Sequence, residues 1–202
     1  MPVVAPGRVT GWPTGVSRRG PAGPTAGSAK EAPSGYQMVT TSTSRISVPV
    51  PDGWQVVTGD DIQNDQSIPL PIATYGITDD QARLLLSSVD LAAASPTPND
   101  TGLPDAVSVA PAAGVDSLPS EDAMSQRVSE QGAAPGEYSA PWTDLGQVAV
   151  MTATATAPEL EVHSATITAP TRNGGWADIR VMTSDASRTR ELTDVIMSTL
   201  SS

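Results

Sequence analysis

His163 is the one histidine in a chain of 202 residues that contains no cysteine. A single imidazole with no thiolate beside it cannot assemble a zinc site, and with no clustered partner it does not mark a Ser-His-Asp relay. In a Val- and Thr-rich run next to Val162, His163 reads as structural. The functional reading that survives is a pH-sensitive contact with a neighbouring carboxylate. Paired carboxylates occur at Asp60-Asp61, Asp79-Asp80 and Glu121-Asp122, with Asp52, Asp100 and Asp105 in turn or loop context. Calcium binding or general acid/base work requires such oxygens to converge, and no EF-hand-type acidic loop is present. Asp79-Asp80 and Glu121-Asp122 fall where the helix dipole favours first-turn acids. Gly174-Gly175 has no Lys-Ser/Thr pair after it and precedes a strand, so it is a turn and not a phosphate loop. Asn99-Asp100-Thr101 matches a glycosylation sequon, a three-residue pattern that also arises by chance. The expectation is no catalytic, cofactor-binding or metal-ligating residue, and no cofactor.

Aromatic residues are only 3% of the chain and Phe is absent, so Trp54, Trp142 and Trp176 stand out. Such rings anchor either a small core or a binding site, and without Phe the core reading is favoured. Trp176 falls on the polar side of its strand and is the one expected to face a partner; Trp54 and Trp176 are the candidate partner-binding residues. Trp12, in Pro/Gly sequence, is a candidate docking element or an incidental exposed ring.

Charge excludes a class of partners. The segment to Gly35 holds four basic residues and one acidic one, leaving seven basic against twenty-one acidic in the remainder of a chain of net charge -11. A domain of that sign repels phosphate backbones and anionic headgroups, so neither nucleic acid nor a lipid surface is an expected partner of the folded part. No apolar run approaches the roughly 18 residues of a membrane span. The N-terminal residues contain Arg8, Arg18 and Arg19 but no signal-type apolar region, which as written implies a cytoplasmic, soluble chain.

The elements that must position these residues follow from pattern. Residues 1–35 carry six Pro and seven Gly and are expected to form a disordered arm, because they cannot bury enough surface to offset ordering. Residues 36–202 are expected to form a single α+β domain, an antiparallel sheet flanked by helices, with a loose Pro-rich insertion at about 95–119. That insertion is either disordered or hides a strand at Ala106 to Ala110. Arg45 to Val50 alternates as a half-buried strand, Pro49 marks it as a sheet edge, and Pro51-Asp52-Gly53 turns the chain into a returning strand at Trp54 to Thr58.

Three helices are expected. One begins at the capping box Thr78-Asp79-Asp80-Gln81 and runs through Ala82, Leu85, Leu86 and Val89; one is capped by Ser120 and stopped by Gly132; the last starts at Ser184-Asp185. The last carries Leu192, Val195, Ile196, Thr199 and Leu200 on one face, with Arg190 and Asp194 as an exposed i, i+4 pair. Gln147 to Thr156, Glu161 to Thr168 and Trp176 to Thr183 read as three consecutive antiparallel strands. Asn173-Gly174 signals a hairpin in which both turn residues take positive φ.

The run Ile46-Ser47-Val48-Pro49-Val50-Pro51-Asp52-Gly53-Trp54, a later meander, a glycine turn and a terminal helix ending Val195-Ile196-Met197-Ser198-Thr199-Leu200 together resemble the PsbP-like superfamily. Within it the chain is similar to actinobacterial LpqN/LpqT-type lipoproteins and proline-rich antigens, and ten Arg to one Lys suits a high-GC source. The resemblance, over about residues 40–202, implies an antiparallel sheet flanked by helices, a cell-envelope location and a non-catalytic role. Members of that type carry a signal peptide and often a lipobox Cys, neither of which occurs in the chain as written. The expectation is a non-enzymatic binding or accessory domain, holding a protein or a small apolar ligand at a sheet face or a groove near Trp54 and Trp176. The alternatives are a metal-dependent or Asp/Ser-based hydrolase and a structural, antigen-like surface protein.

Overall fold

A computed structural model describes residues 31–63, 87–99, 102–157 and 160–200. The arm to residue 30, the first expected helix from Thr78 to Leu86, and residues 100–101 of the sequon lie outside the described residues. Val89, at the end of that expected helix, sits in irregular chain.

The protein is an α+β fold built on a seven-stranded antiparallel sheet. The chain opens with a hairpin, β1 (Tyr36–Thr40) and β2 (Ser47–Pro51), which forms its own two-stranded sheet. Pro49 can donate no ladder hydrogen bond, and β2 pairs on one side only, with β1. Its burial is not alternating: Val48, Pro49, Val50 and Pro51 are all buried.

Gly53 takes φ +78° at the turn that follows, but the strand after it does not return along β2. β3 (Gln55–Thr58) crosses to the large sheet and pairs with β4 (Leu91–Ala94). The turn thus links two sheets rather than closing a hairpin: β2 keeps β1 as its partner and β3 takes β4.

The large sheet runs β3, β4, β5 (Ala106–Pro111), β11 (Trp176–Thr183), β10 (Leu160–Pro170), β9 (Ala149–Ala157), β6 (Ala134–Ser139). β5 is the strand inside the Pro-rich stretch, and there Val107 and Val109 are buried by pairing between β4 and β11. β9, β10 and β11 are the expected antiparallel meander. The β10–β11 connection is a three-residue loop: Gly174 N donates to Thr171 O (3.1 Å) and Thr171 N to Gly175 O (2.8 Å). Only Gly174, at φ +83°, takes the left-handed conformation, not Asn173. This is the type I turn plus glycine bulge, which places one glycine, Gly174, in the left-handed position. A small excursion, β7 (Trp142–Thr143) with β8 (Gly146–Gln147), stands between β6 and β9.

Both sheet faces are covered, by different elements. Ala177, Ile179 and Val181 share one face and are fully buried. They join Ile46, Val48, Val50, Val109, Ile167, the helix residues Leu192 and Ile196 and the C-cap Leu200 in the main core. Each such Val, Leu or Ile side chain removed from water contributes about 1.5–3 kcal/mol. The helix α3 (Ala186–Thr199) is capped by Asp185, whose carboxylate accepts from Arg188 N at 2.8 Å, and it packs on β10, β11 and β2. Its ion pair is Arg188 with Glu191 at 2.7 Å, not Arg190 with Asp194, although both of the latter are exposed.

On the other face α2 (Glu121–Glu130), capped by Ser120 accepting from Ala123 N, presents Met124 and Val128 to Ala149, Met151 and Ala153. Arg127 reaches across to Asp178, which also accepts from Thr168 Oγ1 at 2.6 Å. A third helix among the described residues, α1 (Gly59–Gln63), follows β3. None of these helices is long and apolar enough to cross a membrane.

Candidate functional site

The main-core face of the sheet changes chemistry along its strands. The cross-strand row Val150, Ile167, Ile179 is entirely apolar; the next, Thr152, Ala165, Val181, is mixed; the next, Thr154, His163, Thr183, is polar. Side chains two apart on a strand share a face, so all three strands turn polar at the same level, where the sheet runs out from under the apolar stripe of α3.

Over that polar end lies a groove of about 490 Å³, within the range of small-molecule sites. Its floor is Val150, Thr152, Thr154 and His163; one wall is the α3 flank at Ala186, Thr189, Arg190, Thr193 and Asp194; the other is β6 from Gly136 to Ser139.

The β6 wall is shaped by a bulge. Its register against β9 shifts between Pro135 and Tyr138. There Glu137 N donates to Thr152 Oγ1 at 2.8 Å instead of to a strand carbonyl. Proline and a bulge are the features that keep an outer strand from recruiting another strand, so β6 offers its side-chain face rather than its edge.

The hydroxyls of the groove are largely engaged. Thr189 Oγ1 meets Thr183 Oγ1 at 2.8 Å and donates to Asp185 O at 3.1 Å, and Thr193 Oγ1 donates to Thr189 O at 2.7 Å. With their oxygens engaged by backbone carbonyls and, for Thr189, by Thr183, Thr189 and Thr193 have methyl groups to offer the groove. Arg190, Asp194 and Glu137 make no ion pair among the described residues.

His163 has neighbours on both sides. Its Nε2 lies 3.0 Å from Glu161 Oε1 and its Nδ1 3.4 Å from Thr154 Oγ1. This hydroxyl-imidazole-carboxylate row has the order of a catalytic relay, and it is invisible in sequence because Thr154 is a cross-strand neighbour. Thr154 lies on an interior strand paired to both β10 and β6, so the backbone N–H groups around it serve the ladders rather than an oxyanion. The carboxylate of Asp185 is held below the usual range by the Ser187 hydroxyl, then by Arg188 N, with His163 a minor contributor.

The carboxylates noted in the sequence serve the fold. Asp61 closes a capping box, accepting from Thr58 N and Thr58 Oγ1 at 2.8 Å each, and the Thr58 backbone bond, then the hydroxyl, lowers its pKa. Glu121 and Asp122 are exposed in the first turn of α2, and Asp52 is exposed in its turn. Asp105 accepts from Asn99 Nδ2 at 3.1 Å and lies 4.0 Å from Arg188. Asp79-Asp80 and Asp100 lie outside the described residues. No group of three or more His, Asp or Glu positioned to hold a metal occurs among the described residues.

The tryptophans do not gather. Trp54 packs against the main core, whereas Trp176 alternates with Ala177 and so lies on the opposite sheet face. Gln55 is level with Met182 through Ala94 and Ala106, which places Trp54 and Trp176 roughly 20 Å apart along the strand direction as well. Among the described residues the two rings face opposite sides of the sheet. Trp142, expected in a core, is 77% exposed, because the short β7–β8 hairpin pairs only with itself. Trp12 lies outside the described residues.

Sequence reasoning missed the groove residues Thr152, Thr154, Thr189 and Thr193. A signal was present in Val150-Met151-Thr152-Ala153-Thr154, where one face turns from Val to Thr while the other stays Met and Ala. No protein-family model and no curated protein matches the chain.

Proposed function

We propose that the protein is a non-enzymatic binding or accessory domain of the bacterial cell envelope, and that it holds a small ligand in the groove between α3 and β6. The observation that carries the binding reading is the groove itself, a concavity on the core face of the sheet with Ala186, Thr189 and Thr193 on its α3 wall and, among the described residues, unpaired charges at its rim. The envelope assignment is supported by the resemblance of Ile46 to Trp54 and of the terminal helix to LpqN/LpqT-type proteins.

The test is amide shift mapping of the full chain against a panel of small amphipathic molecules. Changes clustered on Thr152, Thr154, Thr189 and Thr193 are expected; changes centred on Trp54 or Trp176, or none, would overturn the groove as the site.

Thr154, His163 and Glu161 favour one second reading, a hydrolase using the Thr154 hydroxyl. Hydrolysis of p-nitrophenyl acetate that is lost in His163→Gln and Thr154→Val would establish it. Equal rates in wild type and both variants would leave binding as the function.

A further inference from the structure

We infer that the ligand of this groove is a monocation with a short aliphatic body, an alkylammonium or guanidinium compound; this rests on the groove being the binding site. Two carboxylates without an ion pair among the described residues, Glu137 on β6 and Asp194 on α3, stand on opposite walls, and the one lining arginine, Arg190, forms an ion pair with neither. A bound ammonium between the walls would gain a charge-assisted contact from either side. Outside the segment to Gly35 the chain carries seven basic and twenty-one acidic residues, so the long-range field also draws cations and turns anions away.

The aliphatic part follows from the walls. Thr189 and Thr193 have their hydroxyls bonded to backbone carbonyls or to Thr183, and Thr152 Oγ1 is occupied by Glu137 N. Against the α3 wall a polyhydroxylated ligand would find the threonine hydroxyls already engaged, and hydroxyls it left unpaired there would be penalised on burial. Methyl groups and Val150 instead favour a hydrocarbon segment.

The experiment titrates the full chain with hexylammonium, hexanoate and hexanol, following amide shifts in wild type and in Glu137→Gln/Asp194→Asn, whose exposed positions leave the fold intact. The expected result is hexylammonium at Thr154, Thr189 and Thr193 about tenfold tighter than hexanoate, weakened about fivefold or more in the double variant and by added salt. Hexanoate or hexanol binding the groove as tightly as hexylammonium, or an unchanged affinity in the double variant, would overturn the cation assignment and leave the groove standing. No shift in the groove with any of the three would overturn both.

Discussion

Gly136 and Thr152 approach so closely that a Cβ on Gly136 would fall 2.5 Å from Thr152 Oγ1 and 3.2 Å from Thr152 O. That approach lets the Thr152 hydroxyl take the Glu137 N–H, and it fixes where Glu137 stands on the groove wall. Gly136→Ala is therefore expected to destabilise by about 1–3 kcal/mol, a fall in Tm of roughly 2–12 °C, with part recovered by Thr152→Ala in the same chain. An unchanged Tm would mean the bulge is looser than described.

Asp90 is buried and takes Ser44 N (3.0 Å) and the Ser44 hydroxyl on one carboxylate oxygen. The bond ties the β1–β2 hairpin to the start of β4. Asp90→Ala strands both donors and is expected to cost about 3 kcal/mol, read from urea midpoints. Ser44→Ala, which keeps the backbone donor, should cost about 1 kcal/mol.

Acid sensitivity has a defined direction. Asp61 and Asp185 both have depressed pKa values in the folded state, through Thr58 and through Ser187 with Arg188 N respectively. The unfolded chain binds protons first, so their stabilisation is present above an unfolded Asp pKa of about 3.9 and is lost as pH falls through the lower folded values. In thermal melts the deficit of Asp61→Asn/Asp185→Asn relative to wild type should be full at pH 6 and shrink below about pH 4. A deficit constant across that window would contradict the assignment.

Trp54→Ala should cost about 3 kcal/mol by opening the main core, and Trp176→Ala about 1 kcal/mol on the outer face. Since opposite faces of the sheet separate them, the double variant should equal their sum within about 0.5 kcal/mol. A larger coupling would place the rings in contact.

The meander, α2 and α3 were legible because each follows from local signals: period-2 Val and Thr, Ser120 and Asp185 as caps, and glycine past the helix or turn. The partner of β3 was not legible. Pro51-Asp52-Gly53 specifies a turn but not which strand receives the chain afterwards, and β4, which receives it, lies far along the sequence. The strands β4 and β6 were missed because Ala92-Ala93-Ala94 and Ala134-Pro135-Gly136 contain no β-branched or aromatic residue; they have little strand propensity and are held by their neighbours. The groove needed the register, since Thr154 and His163 are nine residues apart in sequence and adjacent only across the β9–β10 ladder.

The most direct measurement is the affinity of hexylammonium for Ser139→Trp compared with wild type. Ser139 is exposed on β6 and lines the groove, so an indole there fills the site without entering a core. Binding weakened by about tenfold or more with an unchanged Tm is the predicted result; wild-type affinity in the filled variant would place the ligand elsewhere and contradict the account.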